Sequence, residues 1–377
     1  MRMLVFPYGQ DCEPVIRHAG MLEDGYEITA LVSPAGWGKA GKEVTVGAGS
    51  GMLPVHESFE EVTEEFDSLF IPPFQASGEA VENRLVDKML LLIPHISHIL
   101  CTARLTEANR KKLKEACFCS SQPCKFVDFC EDKELEAYGL AEPMEKNPPL
   151  KFVDVPVVIV AGVWEKTDKF EISLSLRERF LRDGYRVSQV GSRDGCEMMG
   201  FHSFPRFMLQ KDLDGTVKIP CFNQWIHQMI KREQPDVVLI TIPGALQNFN
   251  EQFTRGFGLL PHEVFQSVAP DALVMCNIYM SEEENVLDEL SISCKYKFDV
   301  SVDAFHISNL IVDVHKSEEY NRIITDSIYR ETVSKAVARG STNNAIPVFN
   351  GLDAKECDKM YETIIEKLTS KSAQTVL

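Results

Sequence analysis

Short apolar runs alternate with amphipathic stretches along the whole chain, and the alternation starts twice. In the first half, MLVFPY predicts a strand, PVIRHAGML a helix and YEITALVSP a second strand, with Gly-rich loops between Gly36 and Gly51. DSLFIPPF predicts a strand that its two prolines end, because proline cannot donate to a ladder. Residues 79 to 95 place Val81, Leu85, Met89 and Leu92 at helical spacing. HILCTARL then predicts a strand, TEANRKKLKEAC a helix with Thr106 as N-cap, and KFVDFC a last strand. Strands alternating with helices of this length imply a parallel sheet covered on both faces. No G-x-G-x-x-G follows the first strand, where FPYGQDCEP stands instead, so dinucleotide binding is not supported.

The polar segment EPMEKNPPLK, residues 142 to 151, has the prolines and charge of a linker, and the pattern restarts after it. The expected domains are therefore 1–145 and 152–377. Residues 155 to 161 predict the first strand of the second domain, followed by a Gly-led loop and a helix from about Asp168 to Arg182 that ends at Gly184. YRVSQVGS predicts the next strand, with the long polar and aromatic exit SRDGCEMMGFHSFP. A helix over 221 to 232, the apolar strand PDVVLITIPG and the strand DALVMCNIY come next. FDVSVDAFHISNLIVDV adds one or two strands, a helix is expected from about Ser317 to Ala338, and IPVFNG leads into a final helix, DAKECDKMYETIIEKL.

Composition changes the picture only by exclusion. A chain of 377 residues exceeds what one core usually serves, in line with two domains. A net charge of −17 without a local basic patch argues against nucleic acid and anionic membrane as partners. No stretch approaches the roughly 20 apolar residues of a membrane span, and MRMLVFPYG enters a strand without a signal-peptide core, so a cytoplasmic protein is expected. Eleven cysteines, an odd number, argue against a closed disulfide framework. Cys117, Cys119, Cys124 and Cys130 are spaced C-x-C-x4-C-x5-C, which matches no familiar zinc or iron–sulfur arrangement, and no metal site is assigned.

The chemistry concentrates in the loop of VVIVAGVWEKTDKFEIS. A phosphate-binding G-x-x-x-x-G-K-[ST] loop needs a second glycine for close approach and a hydroxyl after the lysine for Mg²⁺. Here Asp168, Phe170 and Glu171 stand at those places around Lys169. Asp168 followed three residues later by Glu171 has the form of a capping box, in which carboxylates satisfy the N–H groups that would otherwise meet a phosphate. Lys166, Lys169 and Arg193 oppose Glu165, Asp168, Glu171, Asp194 and Glu197. Thr241 stands where a Mg²⁺-binding acid would end the strand before Pro243 and Gly244. Open parallel sheets bind ligands at the carboxyl ends of their strands. That end is expected to collect Trp164, Glu165, Lys169, Arg193, Glu197, His202, Asn248, Arg255 and Asn277, and the candidate phosphate or ligand site is Gly162, Trp164, Glu165, Lys166, Lys169, Arg193, Thr241, Gly244 and Asn277.

Three further residues are candidates for catalysis. His202, between Phe201 and Phe204, has Glu197 nearby as a carboxylate to orient a general base, and Cys196 has the type of a nucleophile. A structural hydrogen-bonding histidine and a buried thiol are the alternative readings. His95 and His98 bracket a helix end, and His306 and His315 flank an apolar strand without a third ligand at a diagnostic spacing.

The order strand, Gly-led loop with Lys169, helix, strand, helix, strand ending TIPG and strand ending CNIY resembles the P-loop subclass of dethiobiotin synthetase and nitrogenase-iron-protein relatives. In their G-T-D-x-x-V-G-K loop the lysine lies seven residues after the first glycine, as Lys169 does after Gly162. The chain is also similar to a bacterial family of unknown function that joins a Rossmann-like domain to such a P-loop domain. The implied fold is α/β, with an N-terminal Rossmann-like parallel-sheet domain and a degenerate P-loop NTPase-like domain. MRMLVFPYG, LVSPAGWG, GVWEKTDKFEISLSLRE and QVGSRDGCEMMGFHSFP resemble clostridial peptide-maturation-system proteins. This resemblance implies a Cys-rich bacteriocin-like precursor peptide and a radical SAM maturase as partners. Relatives of the P-loop subclass often pair through the nucleotide face, which implies a homodimer. Two functions stay open: an accessory module that binds precursor or maturase, and an ATP- or GTP-dependent ligase or phosphoryl transferase using Mg²⁺.

Overall fold

The computed structural model describes residues 1–23, 25–47, 51–133, 135–140, 149–280, 286–343 and 345–374, without the side chains of 255, 341–343 and 371–374. The chain divides into two units, Met1–Glu131 with Asp194–Ser203, and Asp132–Arg193 with Phe204–Leu377. The expected linker lies mostly outside the described residues, and the division falls earlier, at Glu131. The segment Asp194–Ser203 belongs to the first unit although the chain around it belongs to the second.

In the first unit the strands are β1 (Arg2–Val5), β2 (Glu27–Val32), β3 (Glu43–Thr45), β4 (Met52–His56), β5 (Ser68–Ile71), β6 (His98–Cys101) and β7 (Lys125–Asp128), in the order β3-β4-β2-β1-β5-β6-β7. All pairings are parallel except β3 with β4, a short antiparallel ribbon whose first strand lies in the stretch expected to be loop. The helices are α1 (Glu13–Arg17), α2 (Glu79–Leu92) and α3 (Glu107–Cys119). Leu85, Met89 and Leu92 of α2 and Leu113 and Cys117 of α3 cover one sheet face, while Tyr8, Cys12 and Ile16 pack on the other. Thr106 is the N-cap of α3 by position, but its hydroxyl donates to Glu82, whose carboxylate also accepts from the Thr106 N–H and Asn109.

The second unit's strands, β8 (Val157–Gly162), β9 (Val187–Gly191), β11 (Val237–Thr241), β12 (Ala272–Asn277), β13 (Ala304–Ile307) and β16 (Val348–Phe349), run parallel in the order β9-β11-β8-β12-β13-β16. The two-residue strand β10 (His202–Ser203) belongs to the first unit. On one face lie α4 (Lys169–Arg182) and α10 (Ala354–Gln374), through Ile172, Leu176, Phe180, Met360 and Ile364. On the other lie α5 (Gly215–Glu233), α6 (Leu259–Ser267), α7 (Val286–Phe298) and α9 (Arg330–Asn343), through Phe222, Val264, Phe298 and Val333. Strands β8, β11 and β12 are buried along their whole length, as uninterrupted apolar runs between two helical layers must be.

The single helix expected over 317–338 is two. An antiparallel pair, β14 (Leu310–Val312) and β15 (Thr325–Ser327), encloses α8 (Val314–Glu319), capped by Asp313 and ended at Asn321, whose φ of 48° leaves the helical region.

Candidate functional site

The carboxyl end of β8 runs into a loop that folds back on its own first residue. A side chain at Gly162 would bring a Cβ to 2.3 Å from Thr167 Oγ1 and 2.6 Å from the Trp164 carbonyl oxygen, so only glycine fits there. Lys166 and Asp168 both take the left-handed conformation at φ 58°. Asp168 sits where the second P-loop glycine would be and adopts a glycine-type backbone at a cost of about 1 kcal/mol or more.

The expected capping box is absent, which corrects the reading of this turn as plugged by its own acids. An N-cap side chain reaches the N2 or N3 amide from an extended backbone. Asp168, at φ 58° and ψ 11°, makes no cap hydrogen bond. Its carboxylate instead accepts a hydrogen bond from Ser308 Oγ and lies 3.9 Å from His306 Nε2. Glu171 is buried within α4. The first-turn amides of a helix carry the positive end of its dipole, and here the N-cap side chain does not cap them.

Lys169 stands beside this open helix head, its Nζ donating to the carbonyl of Gly244. Desolvation lowers its pKa to about 8, Arg193 acts in the same direction, and Cys276 and Glu165 oppose both. Arg193 stacks on the Phe170 ring, 4.5 Å from its centroid. On β11, Val237 and Leu239 face α4. Thr241, next in the alternation, therefore faces α4 as well, and its hydroxyl is fully buried without a hydrogen-bond partner among the described residues. His306 Nε2 and Trp164 Nε1 are likewise buried without one, and Trp164 packs edge-on against Phe249 at 4.9 Å. Hydroxyl, imidazole and indole can all donate, so this end of the sheet carries unsatisfied donors.

The other expected residues divide. Gly162, Trp164, Glu165, Lys166, Lys169, Arg193, Thr241, Gly244 and Asn277 all belong to the second unit, and the contacts above join Lys169 with Gly244 and Arg193 with Phe170. Lys166 is exposed. Asn277 is buried at the end of β12, its Oδ1 accepting from the Ile278 N–H at 2.9 Å and its Nδ2 facing Met280 sulfur at 3.7 Å. Arg255's side chain lies outside the described residues, and Asn248 Nδ2 donates to the Asn250 carbonyl at 3.4 Å. Cys196, Glu197 and His202 belong to the first unit. Glu197 accepts from Ser203 through both N–H, 3.0 Å, and Oγ, 2.6 Å, so this carboxylate is engaged by Ser203.

Neither His306, read only as a histidine flanking an apolar strand, nor Ser308 is among the expected site residues. The signal was available: in AFHIS, position 306 shares a strand face with the core residue Ala304, and a histidine there must find a buried partner.

The four clustered cysteines do not converge. Cys117 and Cys124 are neighbours, Cys130 Sγ faces Asp194 at 3.5 Å, and Cys119 is exposed. Among the described residues no group of three His, Cys, Asp or Glu is placed to hold a metal. Burial pushes Cys101 and Cys117 up to about 12, which suppresses the reactive thiolate. In the folded protein a thiol reagent at pH 8 should therefore modify Cys119 first and Cys124 more slowly. Mass spectrometry of modified peptides checks this, and rapid labelling of Cys101 would contradict it.

No protein-family model and no curated protein matches the sequence. Among solved structures, a DUF1611 family protein from Anabaena variabilis is similar over 97% of this chain and 99% of its own, at 13% identity and a TM-score of 0.61. At that identity the likeness establishes the α/β fold. A GTPase from Pyrococcus abyssi, 16% identical over 56% of this chain and 97% of its own, has a TM-score of 0.31. Chloroplast FtsY from Physcomitrella patens, 14% identical over 77% and 90%, has the same score, and neither likeness carries weight. No helix among the described residues is long and apolar enough to cross a membrane.

Proposed function

We propose that the second unit binds a phosphate-bearing small molecule, with its oxyanion against the head of α4 between Lys169 and the uncapped amides. The observation that carries this is the missing cap: Asp168 turns to Ser308 and leaves the helix amides open. The unpartnered hydroxyl of Thr241 supports an acceptor-rich ligand. In the setting implied by the resemblance to peptide-maturation proteins, the chain would act as an accessory that couples such a ligand to a Cys-rich precursor peptide or its radical SAM maturase.

The ligase or phosphoryl-transferase reading fits less well. Mg²⁺ would need the hydroxyl after the lysine and an acid at the end of β11, and Phe170 and Thr241 stand there. The Arg193 guanidinium stacks on the ring of Phe170, the residue that stands in place of the Mg²⁺-binding hydroxyl, and its charge would oppose a dication there. Calorimetric titration with inorganic phosphate, ATP and GTP, with and without Mg²⁺, tests this reading. It predicts binding of at least one of them without a Mg²⁺ requirement. Binding that demands Mg²⁺, with turnover, would favour the transferase, and no binding of any would remove the proposal.

The lysine sets a pH dependence. A lysine with a pKa near 8 loses its charge well below the 10.5 of an ordinary lysine, so affinity for phosphate should fall as pH rises through about 8. The same shift makes the ligand-free fold gain stability between about 8 and 10.5, because the unfolded chain holds the proton that the folded chain has lost. Titrations at pH 7 and 9.5 check the first point; equal affinity would contradict it.

A further inference from the structure

We propose that Ser308 and His306 form a latch that holds the Asp168 carboxylate off the head of α4, and that releasing it closes the anion site by letting Asp168 cap its own helix. This rests on the anion-binding reading and adds its regulation.

The same unit shows what an aspartate at a helix start ordinarily does. Asp214, at φ −68° and ψ 147°, accepts from the Thr216 N–H at 2.8 Å, and Asp313, at φ −83° and ψ 97°, accepts from the Lys316 N–H at 2.9 Å. Asp353 accepts from the Lys355 and Glu356 N–H groups at 3.0 and 3.3 Å. Asp168 departs from all three, in backbone conformation and in side-chain partner. Its capping ability is intrinsic to the residue type, so something must draw the carboxylate away.

The pull comes from β13 and the residue after it. Ser308 is fixed by its N–H, which donates to the Asn277 carbonyl at 2.8 Å, and its hydroxyl donates to Asp168 Oδ2. His306 Nδ1 accepts from the Gly351 N–H at 2.9 Å, so the proton of the neutral ring is on Nε2, facing the same Oδ2 at 3.9 Å. The ring is fully buried and cannot turn elsewhere. A Cβ at Gly351 would stand 2.7 Å from Ile172 Cδ1 and 3.4 Å from His306 Nδ1, which shows how closely this backbone clamps the imidazole against α4. Asp168 is the carboxylate that the otherwise unpartnered Nε2 faces. One hydrogen bond, from Ser308, and an imidazole N–H facing the same oxygen from 3.9 Å thus hold the carboxylate off the helix head.

With the latch broken, the carboxylate becomes an intramolecular competitor for the amides that meet the ligand. Ser308 and His306 are in this sense positioning residues, acting through Asp168. The test compares the full-length protein with Ser308→Ala, Asp168→Gly and the double variant. Two readouts are taken: affinity for inorganic phosphate, and hydrogen exchange of the Phe170 and Glu171 amides without ligand. Glycine suits φ 58° and carries no carboxylate, so it leaves the head open by itself.

Ser308→Ala should weaken phosphate binding about tenfold and slow exchange at the Phe170 or Glu171 amide by a similar factor. The double variant should recover both. Unchanged exchange in Ser308→Ala, or a double variant as weak as the single, overturns the latch. If no variant binds phosphate but Ser308→Ala still slows exchange and Asp168→Gly reverses it, the latch stands and the anion reading falls.

Discussion

Replacing Lys169 with alanine should weaken binding of the phosphate ligand about 10- to 100-fold while leaving the fold intact. A hydrogen bond to a charged group contributes about 1.5–3 kcal/mol, which is that range of affinity. The ammonium meets only the Gly244 carbonyl in the described contacts, and its lowered pKa shows that the free protein holds it at a cost. Removing an unfavourably desolvated charge should not destabilise the unit, so thermal unfolding of the variant should match or exceed that of the parent. Calorimetry and a melting curve together check the pair of outcomes. Undiminished affinity would place the ligand elsewhere, and a collapsed melting temperature would make Lys169 a structural residue.

The second large effect concerns the turn itself. Gly162→Ala should destabilise the second unit by about 2 kcal/mol, within the usual 1–3 kcal/mol for overpacking a closed site. The added methyl would overlap Thr167 Oγ1 and, at 2.6 Å, the Trp164 carbonyl, which is backbone and cannot rotate away. For a unit of this size that corresponds to a fall of roughly 4–8 °C in the unfolding midpoint. Relief requires moving residues 164–167, the stretch that sets the path into α4, so phosphate binding should suffer as well. A variant with the parent's midpoint and affinity would mean that the loop has more room than its geometry shows.

Much of this architecture was legible in the residues. The apolar runs VVIVAG and VVLIT are strands because only burial on both faces tolerates such continuity, and both lie inside the parallel sheet. The helix after Lys169, its end at Gly184 and the closing helix were readable from apolar spacing and terminal residues. β14 lies in the stretch expected to hold one or two strands, but β15 and its antiparallel pairing were not legible, because TDS is short and the intervening α8 has helical composition.

The candidate site was legible in its members and misread in its geometry. Asp168 and Glu171 have the local pattern of a capping box, and local pattern is all that adjacent residues reveal. What overrides it comes from 140 residues further along the chain, where Ser308 takes the carboxylate. A histidine on a core-facing strand position was the one advance sign that such a partner existed.

The central claim is that the head of α4 is open for an oxyanion, and an amide-resolved NMR titration of the full-length protein with inorganic phosphate tests it most directly. The account predicts saturable shifts concentrated at the Lys169 and Phe170 amides, lost in Lys169→Ala. Shifts confined to other parts of the chain, or Lys169 and Phe170 amides already protected and unmoved by phosphate, would contradict it.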